Sequence, residues 1–289
     1  MRLKAWLLAC FLLSSIVRAE PPPTVVFMTD FGVQDDSVAI CKGVMLGIEP
    51  GLRIIDLSHQ VTPYSILDGA RFLEGASPYY PAGTVFVGVI DPGVGSERKG
   101  LVVKTKRGQF FVVPDNGLAT LVLERDGLEG ARQIANEAWT LGGKRSATFH
   151  GRDVFSPVAA HLAHGQDWRE VGPELASIVK LEVHRSKLEA EGLRGEVISV
   201  EAPYGNLITN LRAEDFETLG YTYGESVAVR LGERTLPVPY VHTFSDVPEG
   251  LPLLYVDSRG RMGLALNLGD FATRQGIHPP LSILIPRKK

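Results

Sequence analysis

The stretch VVFMTDFGVQDDSVAICKG, Val25 to Gly43, decides the fold class that the sequence predicts. An apolar run, Val25–Met28, is typical of a buried strand, and the helical spacing that follows a polar turn ends before a Pro-Gly pair. Asp35 and Asp36 suit a helix start, where exposed N–H groups carry partial positive charge. Asp30 comes directly after the strand, where α/β proteins often place a group that contacts a ligand.

Strands and helices continue to alternate after this unit. The predicted strands are 53–57, 84–90, 101–104 and 110–113, and the predicted helices are 36–48, 66–76, 154–163 and one beginning at 118. This alternation predicts an α/β N-terminal domain, residues 24–187, with a largely parallel central sheet. Short strands separated by turn residues predict a smaller all-β C-terminal domain, residues 193–289.

The composition excludes some classes of protein. The chain has 289 residues, 44% hydrophobic and 22% charged, which is ordinary for a globular protein. A net charge of −3, with basic residues clustered only in the last three positions, argues against a nucleic-acid-binding surface. After the N-terminal segment, no run is long and apolar enough to predict a membrane span.

The first nineteen residues are typical of a secretory signal peptide. A basic start, Met1–Lys4, precedes an apolar run that is too short to span a bilayer, and small residues lead to a cleavage site after Ala19. We therefore expect an exported protein, periplasmic or secreted. The mature chain would retain Cys41 alone, which allows no internal disulfide.

Four loops carry more polar residues than their turns require: 29–32, 91–100, 114–118 and 148–161. Three of the four have an ordinary structural interpretation. Asp91 before Pro-Gly is a common turn former, Arg98 alone is usually a surface charge, 115–117 can form a turn followed by a helix start, and His150 alone is more often a satisfied polar residue than a catalyst. A metal site from Asp91, His150 and Asp153 is disfavoured, since these residues include neither a closely spaced His pair nor a Cys-x-x-Cys. A serine hydrolase is disfavoured by the lack of a Gly-x-Ser-x-Gly elbow.

Five motifs in one order resemble the S-adenosyl-L-methionine (SAM) hydroxide adenosyltransferase family. They are TDFGVQDDSVAICKGVM, IIDLSHQVTPY, GTVFVGVIDPGVGSERKGLVV, VPDNGL and TFHGRDVFSPVAAHLAHG. The resemblance implies hydrolysis of SAM to adenosine and methionine with no cofactor, and its halogenating relatives attack SAM with halide. It also implies a β-barrel-like C-terminal domain and a homotrimer, with SAM bound between the N-terminal domain of one subunit and the C-terminal domain of the next.

The resemblance also implies site residues. Asp30 would hold the ribose hydroxyls, and the trio of Asp91, Arg98 and His150 would orient and activate water. Halogenating relatives replace the acid and the histidine of this trio. Further contacts to the substrate would come from Tyr64, Glu201, Asn206, Phe244, Ser258, Arg259 and Asn267.

Within that set the resemblance assigns Asn206, Phe244 and Asn267 to the adenine, and Ser258 with Arg259 to the methionine carboxylate. Tyr64 would form an aromatic wall. Two positions depart from the family pattern: Glu201 stands where Asp usually faces the methionine amine, and Tyr204 replaces a usual Phe.

The resemblance therefore implies a SAM hydrolase that forms adenosine. A halide-dependent adenosyltransferase and a non-catalytic exported protein that binds SAM or adenosine are the alternatives. The sequence leaves open which member of the trio is the base.

Overall fold

A computed structural model describes residues 22–143 and 145–288, so the predicted signal peptide lies outside the described residues. The first of its two sheets has six strands in the order β2-β1-β3-β5-β4-β6. The strands are β1 (Thr24–Thr29), β2 (Arg53–Ser58), β3 (Val85–Val89), β4 (Gly100–Thr105), β5 (Phe110–Pro114) and β6 (Leu128–Gln133). β2, β1, β3 and β5 run parallel, and β4 pairs antiparallel with β5 and β6. The predicted α/β fold with a largely parallel sheet is confirmed.

Helices cover both faces of this sheet. They are α1 (Ser37–Ile48), α2 (Ile66–Ala76), α3 (Thr120–Asp126) and α4 (Ser156–Ala163). Successive side chains of a strand point to opposite faces, so Val25 and Phe27 join the core that includes α1 and α4. Val26 and Met28 join the core on the side of α2 and α3. Burial on both faces explains why the central strands are continuous apolar runs.

The second sheet is antiparallel and nearly closes into a barrel. Its strands are β7 (Lys187–Leu188), β8 (Gly192–Glu201), β9 (Asn206–Arg212), β10 (Ser226–Leu231), β11 (Arg234–Pro239), β12 (Pro252–Val256), β13 (Arg261–Leu266) and β14 (Leu281–Pro286). Their order is β11-β10-β14-β8-β9-β13-β12, with β7 beside β8, and a bridge from Tyr240 to Leu254 links the two ends. Short helices α5 (Ala213–Glu217) and α6 (Phe271–Gln275) lie among the strands. The predicted all-β, barrel-like second domain is confirmed.

The termini of two helices differ from the prediction. α1 begins at Ser37, whose N–H is held by Asp35 Oδ1 at 3.0 Å, whereas the Asp36 side chain makes no capping bond. The predicted helix 154–163 begins earlier, with a π-helical turn at Gly151–Phe155 that leads into α4. Such turns occur frequently at functional sites.

Cys41 is fully buried in α1, and burial raises the pKa of its thiol to about 11. A protonated buried thiol packs as a small apolar group. Within residues 22–143 and 145–288, no helix combines the length and the apolar character needed to cross a bilayer.

Candidate active site

A cleft of about 570 Å³ opens at the carboxyl ends of β1 and β3. This is the edge at which parallel sheets place ligand sites, because the loops that follow neighbouring strands converge there. Its walls are Asp30, Phe31, Asp35, Ser37, Pro63, Tyr64, Val89, Asp91, Val94, Thr148, Phe149, His150 and Gly151. Three of the predicted polar loops therefore meet in one place.

The predicted trio forms one connected group at this cleft. Arg98 Nε donates to Asp91 Oδ1 at 3.0 Å, and Arg98 Nη2 donates to Asp91 Oδ2. The same Nη2 lies 3.1 Å from His150 Nδ1. The side chains of Asp91 and Arg98 are only 5% and 8% exposed, so this ion pair is largely removed from water. Arg98 also lies 5.4 Å from the centre of the Phe155 ring, a favourable cation–π distance.

The Arg98 contact fixes the tautomer of His150. A guanidinium has only donors, so His150 Nδ1 must accept and the ring proton must sit on Nε2. Burial and then the charge of Arg98 lower the pKa of His150 below its usual value, which favours the neutral ring. Burial raises the pKa of Asp91 above its usual value, although Arg98 opposes the shift.

Tight loops hold the trio in place. In the loop after β3, Ser96 Oγ donates to Gly93 O at 2.6 Å and accepts the N–H of Arg98 at 3.2 Å. Gly95 has φ +81°, and a Cβ there would lie 2.7 Å from Ala147 O. The loop that carries Arg98 therefore packs directly on the loop that leads to His150.

The loop 114–118 has a supporting role. Asn116 Nδ2 donates to Ile90 O at 2.9 Å, next to Asp91, and Asn116 Oδ1 accepts the N–H of Leu118. Its polar residues build the turn and brace the end of β3, which agrees with the plain interpretation of this motif.

Asp30 lies in the wall of the cleft and fixes the main chain at Tyr64. Its Oδ2 accepts the N–H of Tyr64 at 2.9 Å, and the Tyr64 side chain is 74% exposed. Tyr64 has φ +64°, a conformation that is uncommon for a residue other than glycine. On the opposite wall, a Cβ on Gly151 would lie 2.9 Å from Phe31, so this glycine lets the aromatic ring approach the backbone beside His150.

A second pocket of about 610 Å³ lies in the C-terminal domain. Its walls are Glu201, Pro203, Tyr204, Asn206, Phe244, Leu266, Asn267, Leu268, Gly269 and Asp270. Its lining shares no residue with the lining of the cleft at Asp30. The structure therefore brings the predicted site residues together in two groups, one in each domain.

Glu201 and Asn206, which the resemblance assigns to different parts of the substrate, contact each other. Asn206 Nδ2 donates to Glu201 Oε2 at 2.8 Å, so one amide donor of Asn206 is engaged by protein. Asn267 Nδ2 donates to Val247 O at 2.8 Å. Both amides thus keep an oxygen that can accept from a ligand.

Ser258 and Arg259 line a neighbouring groove, to which Glu201 and Phe244 also belong. Arg259 Nη1 lies 3.3 Å from Arg71 O of α2, in the N-terminal domain of the same chain. These two residues therefore adjoin the C-terminal group and stand apart from the trio.

Several lining residues were not among the predicted site residues. Phe31, Thr148 and Phe149 stood inside the polar loops but were not singled out, and Asp35 was interpreted only as part of a helix start. Leu268, on the rim of the C-terminal pocket, is 81% exposed with φ +52°. Among the described residues, Tyr64 and Leu268 are the only non-glycine positions with positive φ, and each borders one of the two pockets.

The described residues contain no grouping of three or more His, Cys, Asp or Glu side chains suited to a metal ion. Both oxygens of Asp91 bind Arg98, and Asp153 is engaged by Arg152 and by the Ser146 N–H.

Comparison with known proteins gives consistent matches along the chain. Residues 25–172 match the SAM hydroxide adenosyltransferase N-terminal domain, and residues 195–283 match the C-terminal domain of the same family. A relative from Salinispora tropica named (R)-S-adenosyl-L-methionine hydrolase is 38% identical over 262 residues, 90% of this chain and 96% of that protein. A relative from Actinoplanes named fluorinase is 32% identical over 296 residues, 93% of this chain and 99% of that protein.

A solved structure also matches this chain over nearly its whole length. The crystal structure of an uncharacterized conserved protein from Thermotoga maritima matches with a TM-score of 0.86 and 38% identity, covering 91% of this chain and all of that one. With both domain matches and relatives aligned over nine-tenths of its length, the chain belongs to the SAM hydroxide adenosyltransferase family.

Proposed function

We propose that this protein hydrolyses SAM at C5′, with water as the nucleophile, and releases adenosine and L-methionine. The observation that carries the proposal is the connected Asp91–Arg98–His150 group on the cleft at the ends of β1 and β3. The reaction needs no cofactor, because the sulfonium of SAM departs as a neutral thioether and needs no acid. What the site must supply is a positioned and activated water.

Each member of the trio has a property that suits this task. Neutral His150 presents Nε2–H as a donor that can hold a water oxygen, since its Nδ1 is engaged by Arg98. Arg98 stays protonated and stabilises negative charge that develops on that oxygen. Asp91, with its raised pKa, is our candidate for accepting the water proton. In-line positioning of the water on C5′ can lower the barrier by about 7–11 kcal/mol in favourable cases.

The charge of the cleft favours water over halide. Asp30, Asp35 and Asp91 line it, and the charge of Arg98 is offset by its ion pair with Asp91. Such a surface attracts the sulfonium and ammonium charges of SAM but repels a free halide anion. It also argues for catalysis over simple binding, because a buried ion pair coupled to a neutral histidine is not needed to bind a nucleoside.

We further propose a homotrimer in which SAM lies between the cleft of one subunit and the C-terminal pocket of the next. Two observations support this arrangement: the site residues fall into two groups, and Tyr64 and Leu268 are exposed in unusual conformations at the two rims. The ribose would face Asp30, and the adenine would face Asn206, Phe244 and Asn267. Ser258, Arg259 and Glu201 would meet the amino-acid end of the substrate.

The proposal can be tested by product analysis. Purified protein lacking residues 1–19 is incubated with SAM in oxygen-18 water, with and without chloride or fluoride, and the products are identified by mass spectrometry. We expect adenosine carrying one oxygen-18 at C5′, together with methionine, at a rate that halide does not increase. A 5′-halogenated nucleoside would instead assign the halide activity for which the fluorinase relatives are named.

Bound but intact SAM in the same experiment would make the protein a binder and would overturn the catalytic proposal. Export is tested separately, by locating the full chain and a chain without residues 1–19 in fractionated cells. We expect only the full chain to leave the cytoplasm.

A further inference from the structure

A chain of hydrogen bonds lies beneath the turn that carries Asp30. Lys42 Nζ of α1 lies 2.6 Å from Asp56 Oδ2 of β2. Asp56 Oδ1 lies 3.1 Å from His59 Nε2, and His59 Nδ1 lies 2.9 Å from Thr29 Oγ1, at the end of β1. None of these four residues lines the cleft.

The chemistry of the groups gives each bond a direction. The Asp56 carboxylate accepts, so His59 Nε2 carries the proton and Nδ1 is the free acceptor. The Thr29 hydroxyl must then donate to Nδ1. The remaining lone pairs of Thr29 Oγ1 accept the N–H of Phe31 at 3.2 Å.

His59 also holds the turn through its main chain. Its carbonyl oxygen accepts the N–H of Gly32 at 2.7 Å. The two N–H groups that directly follow Asp30 are therefore both held: that of Phe31 by the Thr29 hydroxyl, and that of Gly32 by the His59 carbonyl. The His59 side chain is 4% exposed and packs edge-on against Phe27, with ring centres 4.9 Å apart.

A β-bulge makes this arrangement possible. β1 and β2 pair Phe27 with Asp56 but Met28 with Ser58, so Leu57 is skipped. Bulges re-aim side chains and are over-represented next to active sites. Here the bulge lies at the level of Asp56, next to the loop through which His59 reaches Thr29.

We propose that Thr29, His59 and Asp56 are positioning residues that fix the Asp30 carboxylate for the ribose hydroxyls of the substrate. The inference rests on the proposed function for the identity of that substrate. It differs from a purely structural role in one respect: weakening the network should reduce substrate affinity by more than it reduces the stability of the fold or the chemical step.

The first test compares Thr29→Val with Thr29→Ser. Valine keeps the shape but removes both the donor to His59 and the acceptor for Phe31, whereas serine keeps both. Thr105→Val is the matched control, because Thr105 is as fully buried as Thr29. Thr105 is the last residue of β4 and lies about 17 Å from Gly100, where that strand begins. Calorimetric Kd values for SAM and adenosine, kcat, KM and melting temperature are measured for all four proteins.

We expect Thr29→Val to raise Kd and KM about tenfold or more. It removes two buried hydrogen bonds, and the loss of one such bond can change an equilibrium constant by up to about tenfold. We expect kcat to change by less than about threefold, because the trio is not in the network, and Thr29→Ser to restore affinity. The Thr105→Val control should lose some stability and no affinity.

A second pair tests His59 itself. An asparagine oxygen can occupy the place of Nδ1 and accept from Thr29, whereas a glutamine amide reaches toward Asp56 and leaves Thr29 without its acceptor. Both substitutions bury one amide, so they match in polarity. We expect His59→Asn to bind substrate several-fold more tightly than His59→Gln at similar melting temperatures.

The inference is overturned if both threonine and histidine variants alter melting temperature alone, with Kd as in the unsubstituted protein. It is also overturned if affinity falls equally in the Thr105→Val control. Unsubstituted protein that binds SAM without cleaving it would overturn the hydrolase proposal and leave this inference testable by affinity. Protein that binds neither SAM nor adenosine would overturn both.

Discussion

Arg98 uses four of its five N–H donors within the protein. It donates to both oxygens of Asp91, to His150 Nδ1 and, through Nη1, to Lys99 O at 3.1 Å. A guanidinium held by four hydrogen bonds cannot swing toward the substrate without breaking several charge-assisted bonds. The trio should therefore act as a preformed unit, in which the loss of any member disturbs the other two.

Replacing His150 by alanine should separate binding from turnover. We expect His150→Ala to keep Kd for SAM within a few-fold and to lower kcat by about 10²-fold or more, the range typical of a lost hydrogen-bond donor that holds the reacting oxygen. The measurement is calorimetry together with initial rates of adenosine release. Equal losses of affinity and turnover would contradict a catalytic role.

The protonation state of His150 predicts an acid limb in the pH profile. Burial and Arg98 lower its pKa below the usual 6.5, so the ring stays neutral at pH 7. Protonation would turn Nδ1 into a donor facing Arg98. We therefore expect kcat to stay level from about pH 8 down to pH 6.5 and to fall only as the pH drops through the lowered pKa of His150.

The same shift affects stability with a defined sign. Because the folded pKa lies below the unfolded one, the stability that neutral His150 contributes is fully present above pH 6.5 and is lost as the pH falls through the folded pKa. Denaturant unfolding followed from pH 7 to pH 5 should show a smaller loss for His150→Ala than for the unsubstituted protein.

Asp30 should act on affinity. Asp30→Ala removes the carboxylate that can accept two ribose hydroxyls and the acceptor for the Tyr64 N–H. We expect Kd for SAM and adenosine to rise about tenfold or more, because a hydrogen bond to a charged group contributes roughly 1.5–3 kcal/mol to binding. Asp30→Asn, which can still hold Tyr64, should lose less. Unchanged affinity in Asp30→Ala would refute the ribose assignment.

At the scale of single elements, the loop after β3 is held by a close backbone contact. Gly95→Ala would place a Cβ 2.7 Å from Ala147 O at φ +81°. We expect a loss of about 1–3 kcal/mol in the free energy of unfolding and a fall in kcat, because Arg98 and His150 lie on the two loops that would separate. Urea unfolding and initial rates measure both.

The matched control is Gly43→Ala. Gly43 lies inside α1 in an ordinary helical conformation, and a Cβ there would have no neighbour within 4 Å. We expect it to gain about 0.5–1 kcal/mol with unchanged kcat. A similar stability loss in both alanine variants would show that the 2.7 Å contact at Gly95 is not the cause.

The sequence predicts strongly apolar strands better than weakly apolar edge strands. β3 is apolar on both faces and was predicted, and so was β2 at one edge of the first sheet, whereas β6 at its other edge and β11 at one end of the second sheet were missed. β6 contains Gly130, and β11 contains Pro237 and Pro239, residues that are tolerated where a strand has only one partner. An edge strand is less buried than a central one and can fold with fewer apolar residues, and runs of apolar residues are what the strand prediction relies on.

The candidate site was predictable in part for a similar reason. Motifs at strand ends identified Asp30 and Asp91, because the carboxyl edge of a parallel sheet is a known place for ligands. The contact between Glu201 and Asn206 follows from how β8 and β9 pair, which residue types alone do not indicate. The network through His59 depends on a bulge, and bulges leave little trace in periodicity.

At the scale of the whole molecule, the two groups of site residues allow a test of where the site forms. Asp30→Ala and Asn206→Ala damage the N-terminal cleft and the C-terminal pocket respectively. If each site joins two subunits, mixed oligomers contain some sites with neither defect. At a SAM concentration well below the raised Kd of either variant, we expect each variant alone to keep only a small fraction of full activity and an equal mixture, after dissociation and reassembly, to recover about a quarter of full activity.

Reassembly of each variant by itself is the control, since it undergoes the same treatment without complementation. No recovery in the mixture, with trimers confirmed by light scattering, would place both groups in a site within one chain. Monomers in solution would contradict the homotrimer itself.

The bridge between Tyr240 and Leu254 has a consequence for how copies of this chain can associate. It brings the two ends of the eight-stranded sheet together, and the prolines of β11 remove main-chain donors from one of those ends. Little unpaired backbone is then offered there for another strand to add to. Self-assembly through the C-terminal domain must therefore rely on side chains and loops, and not on the addition of one sheet to the edge of another.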